Sequence, residues 1–187
     1  ATVIASDKTG TITEGRLAVQ DVYALNPDDL VLAAALCNDA REGMGDPIDV
    51  ALSRWAADYA ALRKRYPRTW VFPFDTSMKL MAAANDVGGT RRFFIKGAFE
   101  ELAKRAENPE RLPELEERLR AMAGAGLRVL AFGAGDWHGE DPDMWRYDIV
   151  GLVGFLDPPK EGVREAVLTA RKAGIHVITW DADAQKD

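Results

Sequence analysis

The sequence predicts an α/β chain in which both ends contribute to one parallel unit and the middle forms an inserted α+β region. Three observations carry this. A β-branched run, Thr2-Val3-Ile4-Ala5, stops at the polar stretch Ser6-Asp7-Lys8-Thr9-Gly10-Thr11, the pattern of a strand feeding a tight loop. Near the other end an amphipathic stretch over 160–173 reaches Gly174 and leads into a second β-rich run, Ile175 to Thr179, giving a β-loop-α-β pattern. Between them the apolar period shortens to that of strands, with a hairpin signal at Gly88-Gly89.

Taken in order, Leu17 to Leu25 reads as a strand, and Pro27-Asp28-Asp29 opens a helix whose apolar part is Leu30 to Cys37. Asn38 to Gly45 is loop. Asp46-Pro47 starts a second helix, with Val50, Leu52, Trp55, Ala56 and Tyr59 at roughly helical spacing. Trp70 to Phe74, Lys79 to Val87 and Arg91 to Lys96 are extended, and helices follow over 98–106 and 112–123. Strands at Leu127 to Phe132 and Ile149 to Phe155 flank a Gly, Asp, Pro and Trp mixture, 133–147, that reads as loop. Asp157-Pro158-Pro159 is the firmest punctuation, since two prolines fix φ and push the preceding residue out of the helical region; together with Thr13 to Arg16 it reads as a two-segment hinge. The predicted division is therefore 1–15 with 156–187 as one domain and 16–155 as the other.

Composition narrows the function. With 24 Lys plus Arg against 30 Asp plus Glu the net charge is −6, and no basic cluster tracks a phosphate backbone, so nucleic acid is not an expected partner. The longest uncharged runs, Leu30 to Cys37 and Ile149 to Leu156, are eight residues each. A helix needs about 20 to span a bilayer, so no direct membrane insertion is expected. The lone Cys37 excludes an internal disulfide and fits a reducing compartment. The start, Ala1-Thr2-Val3-Ile4, has neither an initiator Met nor signal-peptide character and reads as a piece of a longer protein. His138 and His176 stand apart with no third ligand at metal spacing.

Asp7 is the first candidate for chemistry. A carboxylate at the C-terminal end of a parallel strand sits where α/β sheets bind ligands. There it would act as a nucleophile towards a phosphoryl group, with Lys8, Thr9, Thr11 and the loop amides offsetting the transferred charge. A solvated turn is the plainer reading of Asp-Lys-Thr-Gly alone.

The wider pattern decides between them. Ser6-Asp7-Lys8-Thr9-Gly10-Thr11-Ile12-Thr13 resembles the phosphorylation loop of the P-type ATPases, ion pumps whose phosphorylation domain has the haloacid-dehalogenase (Rossmann-type) fold. Further blocks resemble the same family in the same order: Cys37-Asn38-Asp39-Ala40, Gly45 to Leu52, Phe74-Asp75 with Lys79, Lys96-Gly97-Ala98, Gly126 to Ala131 and Asp157-Pro158-Pro159-Lys160. The set is more similar to the calcium and sodium-potassium pumps than to the heavy-metal branch, whose His-Pro signature is missing.

The resemblance implies roles residue by residue. Asp7 would accept the phosphoryl group. Thr9 would bind phosphate and offer its carbonyl to Mg²⁺; it stands where related soluble phosphatases carry a second Asp, so an acyl phosphate would hydrolyse slowly. Thr179 and Asp181 would complete the phosphate site with Lys8, although the family pattern Thr-Gly-Asp reads Thr179-Trp180-Asp181 here. An inserted α+β nucleotide-binding domain would hold ATP. Phe74 would stack on adenine, against the plain alternative that Trp70, Phe72 and Phe74 are one core stripe. Lys96 and Gly97 would lie at the adenine pocket, lined also by Asp46 and by Asp49, where the family more often has Glu. Lys79 would meet phosphate or ribose, Arg128 would bridge the phosphates, and Met81 would sit at the pocket edge with Met44 and Met78. Asp157 and Pro158 would form the hinge. The implied partners are ATP and the transmembrane and actuator domains of a full pump at the cytoplasmic face of a membrane. Two alternatives stay open: a soluble phosphohydrolase of the haloacid-dehalogenase type with a cap domain, and a module that only binds nucleotide.

Overall fold

The computed structural model describes residues 2–180. Within them the chain divides into two compact units, 2–18 with 157–180, and Val19–Leu156.

In the first unit, β1 (Val3–Asp7) and β8 (His176–Trp180) pair in parallel, from Val3 opposite His176 to Asp7 opposite Trp180. Helix α6 (Val163–Lys172) precedes β8 and begins later than the sequence predicts, because Gly162 takes a left-handed conformation just before it. After β1 the expected tight loop is instead a wide helical turn over Lys8–Ile12. Thr13 and Pro159 then form an antiparallel bridge. The Glu14 amide donates to the Pro158 carbonyl and the Lys160 amide to that of Ile12, each at 2.9 Å. Asp157 ties the same segments together: it accepts from the Thr13 hydroxyl at 2.5 Å and from the Arg16 amide at 3.1 Å.

The second unit is built on a six-stranded sheet in the order β2-β7-β6-β5-β4-β3. Its strands are β2 (Ala18–Ala24), β3 (Arg68–Asp75), β4 (Leu80–Val87), β5 (Thr90–Gly97), β6 (Arg128–Asp136) and β7 (Asp148–Leu156). Pairing is antiparallel from β3 through β7. Pro73 is tolerated because β3 lies at the sheet edge, where a missing amide breaks no ladder. On one face the apolar core gathers Leu80, Phe93, Ile95, Ala131 and Leu152 against Phe99 and Leu102 of α4 (Phe99–Leu102) and Leu115 and Met122 of α5 (Leu112–Gly124). Side chains alternate across a strand, so Phe94 and Lys96 point to the other face, where α1 (Pro27–Leu36) packs on β5, β6 and β7. Helix α1 starts as predicted: the Asn26 side chain accepts from the Asp29 amide, Pro27 leads, and Asp28 and Asp29 complement the helix dipole.

In the second unit three elements differ from the sequence reading. Helix α2 (Pro47–Trp55) stops before Tyr59; Ala56 is extended, Asp58 is left-handed at φ 56°, and a separate α3 (Tyr59–Arg65) begins. The apolar period ran through two helices. Helix α4 has four residues instead of the predicted 98–106. Finally, Gly133 to Asp136 continue β6 instead of forming loop. Gly135 there serves packing, since a Cβ would stand 2.3 Å from the Arg146 carbonyl. No helix among the described residues is long and apolar enough to cross a membrane.

Candidate functional site

Where β3 ends, β4 begins, β5 ends and β6 begins, the Val19–Leu156 unit opens a cavity of about 510 Å³. Asp46, Asp49, Phe74, Lys79, Met81, Lys96, Gly97 and Arg128, the eight residues singled out above as a nucleotide pocket, all line it. Local sequence explains how each arrives. The Asp46 side chain caps α2 by accepting from the Ile48 amide at 2.8 Å, and Pro47 takes the first helical position, which aims the first turn and Asp49 at the cavity. The pairing of β3 with β4 slips between Phe72 and Asp75, so the Trp-Phe-Phe alternation breaks. Trp70 and Phe72 pack against the core, as the plainer reading had it. Phe74 turns out and stays 60% exposed on the cavity wall.

The β3–β4 connection is shaped by Asp75. Its carboxylate accepts from the Ser77 hydroxyl and from the amides of Ser77 and Met78. Those bonds, the Ser77 hydroxyl first, hold its carboxyl below the usual carboxylate range. Lys79 follows in a left-handed conformation at φ 52°, and its carbonyl accepts from the Ala98 amide at 3.0 Å. Strained positions of this kind gather at functional sites. Opposite lies Gly97: a Cβ there would come within 2.5 Å of the Lys79 carbonyl and 2.7 Å of Leu80. The approach of β5 to Lys79 thus requires glycine.

The floor is an ion pair. Lys96 and Asp49 are 6% and 5% exposed, and the Lys96 ammonium bonds Asp49 Oδ1. The second carboxylate oxygen accepts from the Asp39 amide at 2.8 Å. Lys96 is therefore no exposed strand end, the plain alternative for a Lys before Gly. Buried Met81 carries the floor on, while its carbonyl accepts from the Cys37 thiol. Burial pushes that thiol up to about 12. Met44 is 69% exposed and Met78 packs on the core; neither lines the cavity.

Sequence reasoning missed the layer behind this floor. Asn38 is fully buried and bonds in four directions, and Arg63 and Arg68 donate to its carbonyl. Arg68 also donates to the Leu36 carbonyl at 3.0 Å and pairs with Asp39. The C-terminus of α1, which has no basic residue in its last turn, is thus neutralised by tertiary contacts. The signal present in the sequence was the block 37–40, noted without a role. Glu100 and Leu119 also line the cavity without having been foreseen.

In the other unit, Asp7 ends β1 beside Trp180 of β8, and Thr179 stands opposite Ser6. Asp7 Oδ1 is shut off from solvent with no hydrogen-bond partner among the described residues. Lys8 and Thr9 open the turn after it. The Lys160 ammonium donates to the Gly10 carbonyl at 2.5 Å. Asp181 lies outside the described residues. No group of three or more His, Cys, Asp or Glu suited to a metal occurs among the described residues.

Comparison with known proteins agrees with the resemblance. Residues 26–162 match the family described as the P-type ATPase, cytoplasmic domain N. The calcium-transporting ATPase 1 of Lactococcus lactis is 33% identical over 97% of the chain and 25% of that protein. The cation-transporting ATPase pma1 of Synechocystis is 31% identical over 97% of the chain and 27% of its own length. The calcium-transporting ATPase type 2C member 1 of Pongo abelii is 28% identical over 98% and 25%. The chain spans about a quarter of the length of these relatives. It belongs to the cation-transporting P-type ATPase family and carries that family's cytoplasmic N domain.

Proposed function

We propose that the cavity of residues 16–155, read as the nucleotide-binding domain, holds Mg-ATP. Residues 1–15 and 156–187 are read as part of a haloacid-dehalogenase-like phosphorylation domain, and Asp157 and Pro158 as the hinge. One observation supports this above others: eight residues chosen for nucleotide contact line a single cavity. An exposed aromatic face at Phe74 offers stacking to a purine. The Lys96 ammonium supplies donors beneath it, and Lys79 and Arg128 at the rim offer charge to phosphates.

In the complete protein, a carboxylate oxygen of Asp7 attacks the terminal phosphorus of ATP. The new O–P bond forms as the bond to the bridging oxygen breaks, and the electron pair leaves with ADP. Lys8, Thr9, Thr179 and Asp181 complete the receiving site. An orphaned, solvent-shielded oxygen at Asp7 suits a hard cation that takes oxygen ligands, and Asp7 with the Thr9 carbonyl would hold Mg²⁺. When bound, that ion offsets phosphate charge. The whole protein is then a phosphorylated, ATP-driven cation translocase, with transmembrane and actuator parts, at the cytoplasmic face of a membrane. The present chain alone is expected to bind nucleotide and to turn over little or none.

The test is titration with ATP and Mg²⁺ followed by tryptophan fluorescence or chemical shifts, comparing wild type with Phe74→Ala. Unchanged affinity in that variant removes the pocket. Incubation of the complete protein with labelled ATP, acid quench and hydroxylamine tests the acceptor: a hydroxylamine-labile label that Asp7→Asn abolishes is expected. Rapid phosphate release from small esters would favour the phosphohydrolase instead.

A further inference from the structure

The floor of the cavity is held from behind by a residue that does not itself line it. Asn38 is 0% exposed and uses its whole side-chain amide. Its Nδ2 donates to the Ala34 carbonyl at 3.1 Å and to the Asp49 carbonyl at 3.0 Å. Its Oδ1 accepts from the Ala40 amide and the Tyr59 hydroxyl, both at 2.8 Å. Two carbonyls on one side and two donors on the other fix which way the amide faces. The next residue, Asp39, directs its amide at Asp49 Oδ2. Consecutive residues thus grip Asp49 twice, by its main chain and by its carboxylate. What remains of Asp49 is Oδ1, and Lys96 is bonded to it.

This arrangement removes the freedom of the one anion that locates a buried ammonium. A lysine side chain has four rotatable bonds and would otherwise have many places to stand. Asn38 also joins the last turn of α1 to the first turn of α2 and, through Tyr59, to α3. We propose that Asn38 is a positioning residue: by holding Asp49 it fixes where the Lys96 ammonium stands, and so how tightly the cavity holds a nucleotide. The proposal rests on the nucleotide reading above and names a role for a block of sequence, 37–40, which that reading leaves unused.

A double-mutant cycle in the 187-residue chain tests it, with ATP and Mg²⁺ as the probe and unfolding midpoints recorded alongside. Asn38→Ala is expected to weaken binding about tenfold, the scale on which outer partners of a ligating group act. In an Asp49→Ala background, where the anion is gone, the same change is expected to leave affinity within about twofold. A purely structural role predicts otherwise: a lower midpoint with unchanged affinity of the folded fraction, or equal losses in both backgrounds. Either result overturns the proposal. Should Asn38→Ala fail to fold, Tyr59→Phe removes one bond to Oδ1. A loss of about threefold that disappears in the Asp49→Ala background supports the proposal, and unchanged affinity overturns it. If wild type binds no ATP, the nucleotide reading falls and this inference with it; if wild type binds and the variants match it, this inference falls alone.

Discussion

The two places where charge meets function are built in opposite ways. At the cavity floor, Asp49 and Lys96 are buried and mutually paired, and both carboxylate oxygens are used. At the end of β1, Asp7 presents an oxygen shielded from water and bonded to nothing among the described residues. On the proposed nucleotide reading, a floor whose anion is already paired leaves the choice of base to shape and stacking. On the same proposed reading, the unsatisfied oxygen of Asp7 suits an acceptor awaiting its group. Substitution should expose the contrast. Lys96→Met strands a buried carboxylate, and breaking such a pair costs about 3–5 kcal/mol. Asp7→Asn removes an uncompensated charge and should leave stability within about 0.5 kcal/mol or raise it. Urea unfolding of both variants measures the difference, and equal losses would erase it.

The next effect separates binding from folding inside the cavity. Phe74 is 60% exposed and adds little to the core. Phe74→Ala should therefore move the unfolding midpoint hardly at all. It should weaken ATP binding by about 1–3 kcal/mol, the value of stacking one base on an aromatic ring. Titration and thermal unfolding of the same sample check both halves. A large drop in midpoint with intact affinity would place Phe74 with Trp70 and Phe72 in the core.

How much of this was legible in the sequence depends on what each residue answers to. The strands β3, β4 and β5 and the turn at Gly88-Gly89 follow from local patterning, because pleated alternation and turn chemistry are written in neighbouring residues. The end of α2 was hidden. Ala56 and Tyr59 keep the helical period although the helix breaks between them, and a left-handed Asp58 leaves no composition signal. Gly133 and Gly135 resembled loop residues because the sequence shows an absent side chain and not what fills its place, the Ile95 and Tyr147 side chains at Gly133 and the Arg146 carbonyl at Gly135. The eight cavity residues came from ordered blocks of family resemblance, and the structure gathers them. Asn38 was invisible as a functional residue since its partners Ala34, Asp49 and Tyr59 belong to three helices. No spacing rule announces a hub of that kind.

A smaller effect lies at the rim, where strain has been kept. Lys79 holds φ 52°, a conformation that costs an L side chain about 1 kcal/mol and glycine almost nothing. Lys79→Gly should thus raise stability by up to about 1 kcal/mol while weakening nucleotide binding, because a positive charge among the lining residues is lost. Denaturant midpoints set against ATP affinity check the opposite signs. If both fall together, the strain is imaginary and Lys79 is simply a packing residue.

The smallest expected effect concerns acid. Asp75 is depressed because the Ser77 hydroxyl, then the Met78 and Ser77 amides, donate to its ionised carboxylate. Protonation is therefore harder in the folded chain than in the unfolded one. The carboxylate's contribution is complete above about pH 4, the unfolded value for Asp. It is lost as pH falls through that value and then through the lower folded one. Asp75→Asn keeps an acceptor for the same donors but cannot titrate, so the wild-type advantage should shrink steadily as pH drops below about 4. Thermal midpoints of the two proteins across that range provide the measurement. Parallel curves would mean that the turn leading to Lys79 does not depend on charge, and that the rim, unlike the ion-paired floor, is held by hydrogen-bond geometry alone.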